Sequence, residues 1–220
     1  MDIISLDKVD NLLWLGRYSE RVYLTIREFF TGYDQMIEDP DFYKEYCYNM
    51  QIPNIYADLN DFVKRYIRDE SNPDSIIANL NRAYDNCMIL RNEIGTETMS
   101  YLELALDDLI SLKDFDSFIL DLQGTLDHIL AFWACLDDDV ENYEVRNIIK
   151  LGKRLERFDM YLRLRKDKDM LHKACDTLDH RLKKSNLPYD RESFMKVRGM
   201  IAQPRINYDE AIYLVESLVE

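Results

Sequence analysis

Two stretches of the chain carry carboxylates and arginines at matched spacings. In NLLWLGRYSERVYLTIREFF, residues 11 to 30, Glu20 is followed seven positions later by Arg27. In NIIKLGKRLERFDMYLRLR, residues 147 to 165, Glu156 is followed seven positions later by Arg163, with Asp159 between them. Both stretches share Leu-Gly-basic-x-x-Glu-Arg, built on Gly16 and Gly152. Acids beside arginines can do two kinds of work. A carboxyl moved toward neutrality by burial or by a like charge serves as a general acid or base. A carboxylate gripped by the planar fork of an arginine ties two elements together, or receives a partner's tail.

Placed on a helix at about 100° per residue, the first stretch puts Leu12, Leu15, Gly16, Ser19, Tyr23, Ile26 and Phe30 on one face. Glu20 and Arg27 lie at its margin, and Trp14, Arg17 and Arg21 point away from it. The second stretch repeats this with Ile148, Leu151, Gly152, Leu155 and Leu162 inside, Glu156 and Arg163 at the margin, and Asp159 near the centre. A glycine in a helix interior costs about 1 kcal/mol relative to Ala, so Gly16 and Gly152 are expected at close helix crossings. Two antiparallel copies would set Glu20 near Arg163 and Glu156 near Arg27. The carboxylates then form either an ion network that fixes register or a polar cleft. Asp159, an acid facing a core, needs a partner or a proton. Trp14, Arg17 and Arg21, outward on this reading, have the composition of an interface anchor.

The elements that must position these residues are helices. Gly and Pro together number eleven in 220 residues, so turns are few and elements long. A first helix is expected from about Asp7 to Met36, closed by Pro40, and a short aromatic one over DFYKEYCYNM. Others follow over NIYADLNDFVKRYIRD and SIIANLNRAYDNCMILRNEI, the latter ended by Gly95, and over MSYLELALDDLIS. A sixth covers Asp116 to Leu136, the seventh carries the second motif, an eighth covers residues 168 to 185, and the tail breaks into two more. No sustained strand alternation occurs. The expectation is one all-α, multi-helix bundle of about eight to ten helices over residues 1–220, with an internal pseudo-repeat.

A formal charge of −14 argues against a general nucleic-acid footprint. The most apolar window, Phe118 to Leu136, contains Asp121, Asp127 and His128, so it reads as a core helix and not a membrane span. Cys47, Cys87, Cys135 and Cys175 are widely spaced and no signal peptide is evident, the pattern of a cytoplasmic protein with reduced thiols. His172, Asp176 and His180 share a helical face at four-residue intervals, where a solvated surface is the expectation and a metal the alternative. No metal or other cofactor is expected. No Gly-rich phosphate loop is legible, so ATP chemistry is not expected of this chain alone.

NLLWLGRYSER followed by Arg27 resembles the opening signature of the alpha-E domain, a bacterial all-helical family, and LGKRLER with Asp159 and Arg163 resembles its second. DNCMILRNEIGTETMSYLE is similar to its middle motif, with Asn86, Arg91 and Glu97 in the matching positions. The resemblance covers residues 5 to 165, and the helical tail from 166 to 220 matches less clearly. The chain departs from the family pattern at Tyr23, where an acid is usual.

The resemblance implies a setting. Alpha-E domains accompany an ATP-grasp enzyme that forms amide bonds, along with transglutaminase-like and proteasome-like peptidases, in systems that make or attach a peptide. The expectation is a binding or accessory module beside such a ligase. A carboxylate-based enzyme acting on peptide or amide bonds is the alternative. The implied polar cleft joins Glu20, Arg27, Arg91, Glu97, Glu156, Asp159 and Arg163.

Overall fold

The computed structural model of the protein describes residues 5–112 and 118–219, which form eleven α-helices and no strand. In chain order they are α1 (Leu6–Glu38), α2 (Phe42–Met50), α3 (Leu59–Arg68), α4 (Ile76–Ile89), α5 (Arg91–Ile94) and α6 (Thr96–Ser111). Then come α7 (Phe118–Asp139), α8 (Tyr143–Arg163), α9 (Lys168–Ser185), α10 (Arg191–Ala202) and α11 (Tyr208–Glu216). None of the described helices is long and apolar enough to cross a membrane.

Local chemistry sets most boundaries. Asp39, forced out of the helical region by Pro40, ends α1 in an extended conformation. Side chains of Asp58, Ser75, Asn142, Asp167, Asp190 and Asn207 cap the first-turn amides of α3, α4, α8, α9, α10 and α11. Gln51 and Asn186 end α2 and α9 in the left-handed region. The expected fourth helix is interrupted: Leu90 leaves helical geometry, and residues 91–94 form a separate turn before Gly95. The expected start of the sixth helix at Asp116 lies outside the described residues.

α1 and α8 form the centre. Leu12, Leu15, Val22, Ile26 and Phe29 of α1 are buried, as are Leu151, Leu155, Phe158 and Leu162 of α8. Each such side chain contributes about 1.5–3 kcal/mol through its removal from water. α4 packs on α1, α9 on α8, and the α6–α7 pair closes against α4 and α1. Phe29 meets Tyr46, Phe62 and Tyr66 with ring centroids near 6.1 Å, which fastens α2 and α3 to the C-terminal half of α1.

The two motif helices are parallel, not antiparallel. Leu13 lies against Gly152, Arg17 and Arg21 reach Glu156, and Glu28 meets Lys166, so both chains advance in the same direction. Parallel neighbours in one chain need a long return path, and helices α2 to α7 provide it. At the crossing, a Cβ on Gly16 would land on the Ile149 carbonyl oxygen and sit 2.9 Å from the Lys153 amide nitrogen. A Cβ on Gly152 would land on the Leu13 carbonyl oxygen and sit 3.2 Å from the Arg17 amide nitrogen. The glycines therefore do sit at the crossing, each against the backbone three positions before the other.

Gly16→Ala and Gly152→Ala should each destabilise the protein by about 2–3 kcal/mol, because backbone on the facing helix cannot step aside as a side chain would. Gly199, where an added Cβ meets nothing, should do the reverse: Gly199→Ala should stabilise by roughly 0.5–1 kcal/mol through helix propensity. Chemical denaturation of the three variants checks both signs. Unchanged midpoints for the first two would refute the crossing.

Candidate functional site

The glycine contact brings the two backbones so close that residues flanking it reach across. Glu20 and Glu156 are both fully buried. Arg21 Nε donates to Glu156 Oε1 at 2.5 Å, and Arg157 Nε donates to Glu20 Oε1. Each Glu-Arg dipeptide thus gives its glutamate to the other helix's arginine. Residues 16, 17, 20 and 21 of α1 correspond to 152, 153, 156 and 157 of α8 about a pseudo-two-fold axis.

Among these four pairs the symmetry breaks at Arg17 and Lys153. Arg17 Nε donates to Glu156 Oε2 at 2.8 Å, so both oxygens of Glu156 are held. Its counterpart Lys153 turns instead over the Trp133 ring, 3.7 Å from the centroid. Glu20 Oε2 is left with no hydrogen-bond partner. The two glutamates differ accordingly. Burial would raise Glu156, but the charges and hydrogen bonds of Arg21 and Arg17 hold it below the ordinary glutamate range. Burial raises Glu20, and Arg157 and Lys153 offset this only in part. Lys153 is pushed down to about 8 by burial, against the pull of Glu20.

Asp159 is fully buried, one turn beyond Glu156. Its Oδ2 accepts from Arg163 Nε at 3.0 Å and lies 4.0 Å from an Arg21 nitrogen, while Oδ1 has no partner. Burial and then the adjacent Glu156 raise its pKa, with Arg163 opposing. Arg163 also donates to Gln51 at 2.7 Å and to Glu216 at 2.5 Å. Arg21 and Arg163 line a polar pocket of about 170 Å³ together with Gln51, Asp74, Asn79 and Glu216.

Several sequence-based expectations are corrected by this geometry. Glu20 meets Arg157 and not Arg163, and Glu156 meets Arg17 and Arg21 and not Arg27. Arg27 is exposed, with its guanidinium 6.0 Å from the Tyr23 ring centre. Arg17 is buried and Arg21 half-buried between the helices, so neither projects outward. The close contact explains the change: long arginine stems on the flank of a helix wrap around a neighbour whose backbone is this near. Trp14 does remain at the surface, 39% exposed.

Arg91 and Glu97 do not join the cluster. Arg91 contacts Thr96 at 3.4 Å, and Glu97 lies at the exposed start of α6 beside Asp139 and Glu141. Asp176 is engaged by Arg198 at 2.5 Å, and no group of three metal-capable side chains occurs among the described residues. Arg157 and Arg154 were not among the expected site residues, and Lys153 stood out only as a departure from the second motif. Matching Arg157 to Arg21 across the repeat would have found the first.

The family model of Alpha-E, a predicted alpha-helical domain with a conserved ER motif, matches residues 8–186, and the chain belongs to this family. The matched stretch takes in α9, beyond the limit at residue 165 expected from the motifs. The sequence has Glu-Arg only at 20–21 and 156–157, the two dipeptides that exchange partners here. No curated protein and no solved structure matches the chain.

Glu156→Gln should destabilise the protein by about 3 kcal/mol, since two arginines lose their anion. Glu20→Gln should cost only about 1 kcal/mol, because Arg157 reaches solvent and one Glu20 oxygen already lacks a partner. Urea denaturation distinguishes the two, and equal costs would contradict the asymmetry.

The pH dependence follows from the signs. With its folded pKa raised, Asp159 contributes stability that is complete below the ordinary aspartate pKa and is lost as pH rises through the folded value. Glu156, with its pKa depressed, contributes above the ordinary glutamate pKa and loses that contribution as pH falls through its folded value. Asp159→Asn should therefore lessen a decline in stability on the neutral side, and Glu156→Gln remove a loss on the acid side. Glu20, also raised by burial, adds a decline of the same sign. Denaturation midpoints measured from acid to neutral pH should thus show the neutral-side decline reduced in Asp159→Asn, and a decline of undiminished size in that variant would be the contrary result.

Proposed function

We propose that this Alpha-E chain is a helical binding module that works beside an ATP-grasp amide ligase in making or modifying a peptide. The observation that carries this reading is Trp14, a large aromatic held rigidly at the surface of the motif helix. Its ring stacks on Tyr18 at 5.1 Å between centroids, the Arg17 guanidinium sits 4.7 Å from its centre, and Arg82 of α4 sits 5.7 Å from Tyr18. A fixed aromatic beside an arginine presents contact area at little cost in side-chain entropy, the character of an interface anchor. The Glu156 carboxylate, gripped by two arginines, is a poor proton acceptor and leaves little for chemistry. The ATP chemistry belongs to the ligase, and transglutaminase-like or proteasome-like peptidases act in the same system. The setting is the cytoplasm, in keeping with four free thiols.

A second reading, a carboxylate enzyme acting on peptide or amide bonds, is favoured by Asp159 alone. It is a buried acid with raised pKa and an unpartnered oxygen, and its arginine neighbours line a pocket. Amide cleavage or formation by the purified chain, lost in Asp159→Asn, would favour this reading over the first.

Trp14→Ala combined with Arg82→Glu should leave the fold intact and weaken association with the ATP-grasp ligase at least tenfold, read by co-purification and by titration of the purified pair. Undiminished association would remove this face from the proposal. Arg17 and Arg21 are unsuitable for this test, since changing them strands buried Glu156.

A further inference from the structure

The two sides of the α1–α8 pair are balanced differently. On the α1–α4 side, Glu156 and Asp159 face Arg17, Arg21 and Arg163. On the α8–α9 side, the position matching Asp159 is Tyr23, and Glu20 is the buried acid that faces Lys153, Arg154 and Arg157, with Asp137 also acting on Lys153. That side opens into a pocket of about 200 Å³ between α8 and α9, lined by Arg154, Arg157, Tyr161, Met170, Lys173, Ala174 and Thr177. No acid lines it.

Arg154 is half-buried there and has no hydrogen-bond or ion-pair acceptor among the described residues. Burial, and after it repulsion from Arg157, lowers its pKa, with Glu20 opposing. Arg157 spends its Nε on Glu20, and no acceptor among the described residues takes its terminal nitrogens. Lys173 brings a third positive charge from α9, and the Tyr161 hydroxyl is likewise without a partner among the described residues. A chain with a net charge of −14 has thus gathered three cations around one small cavity, with Glu20 paired to one of them and no acid in the lining. Lys173 is exposed, but Arg154 and Arg157 are partly buried, and concentrated, partly desolvated guanidinium donors stabilise a bound anion more than fully solvated ones do.

We infer that the α8–α9 pocket is a binding site for a small oxyanion, a phosphate or a carboxylate group, held by Arg154, Arg157 and Lys173. The planar guanidinium of Arg154 offers a two-point contact to either group. The apolar wall of Met170 and Ala174 receives the short carbon portion of the molecule that bears it. The site belongs to α8 and α9, whereas the Trp14 face belongs to α1 and α4, so the inference stands or falls without the ligase.

The test is calorimetric titration of the purified chain at fixed ionic strength with three probes: inorganic phosphate, an alanine dipeptide with a free C-terminus, and the same dipeptide amidated. Chloride sets the background. At least one of the two oxyanions should bind saturably, with the amidated dipeptide silent. Phosphate binding more tightly assigns a phosphorylated ligand, and the free dipeptide binding more tightly assigns a peptide carboxylate. Arg154→Gln with Lys173→Gln should weaken the binding at least tenfold while the melting temperature without ligand stays within a few degrees. Arg157 is left in place because it holds Glu20. Absence of saturable binding by phosphate and by the free dipeptide, or equal binding by the double variant, would overturn the assignment.

Discussion

Two glycines in contact across parallel helices set the terms for everything else in this fold. Gly16 and Gly152 let each backbone approach the other's carbonyls, and no side chain fits between them. That approach places the positions one and five residues after each glycine, normally on a helix flank, within reach of the opposite carboxylate. The Glu-Arg dipeptides then exchange partners, and the exchange is possible only because the backbones are this close. Ion pairs buried in this way add little net stability on average, yet removing one member strands the other. Their effect is to specify one register and one direction for the central pair, on which α4 and α9 then pack from either side.

The same arrangement explains why the site is lopsided. A single exchange, lysine at 153 where the other copy has arginine at 17, frees an oxygen of Glu20 and sends the ammonium to Trp133. A second, tyrosine at 23 where the other copy has Asp159, removes an acid from the α9 side. One half of the pseudo-repeat balances its two acids against its own arginines. The other carries an excess of positive charge beside an open cavity.

Much of the architecture was legible in the sequence because it rests on local signals. Pro40 and Gly95 mark real ends, and the glycines identify the crossing. The helical wheel correctly put Leu12, Leu15 and Leu155 inside. It misplaced Arg17 and Arg21, because a wheel describes one helix and not how near its neighbour comes. The direction of packing was also beyond it: the motif reads the same for parallel and antiparallel partners, and only the path of α2 to α7 decides. Arg91 and Glu97 were grouped with the cluster by motif membership, which is a statement about sequence and not about distance. The α8–α9 pocket draws Lys173 from a helix outside the motifs, so no spacing within them could reveal it.

The central claim is that each Glu-Arg dipeptide is joined across the helix pair and not within itself. Double-mutant cycles on folding free energy measure this directly, with Glu156→Gln combined in turn with Arg21→Gln and with Arg157→Gln. The account requires a coupling of about 1.5 kcal/mol or more between Glu156 and Arg21, and under about 0.5 kcal/mol between Glu156 and its chain neighbour Arg157. The opposite order, with coupling confined to the dipeptide, would contradict the exchange and with it the register of the two central helices.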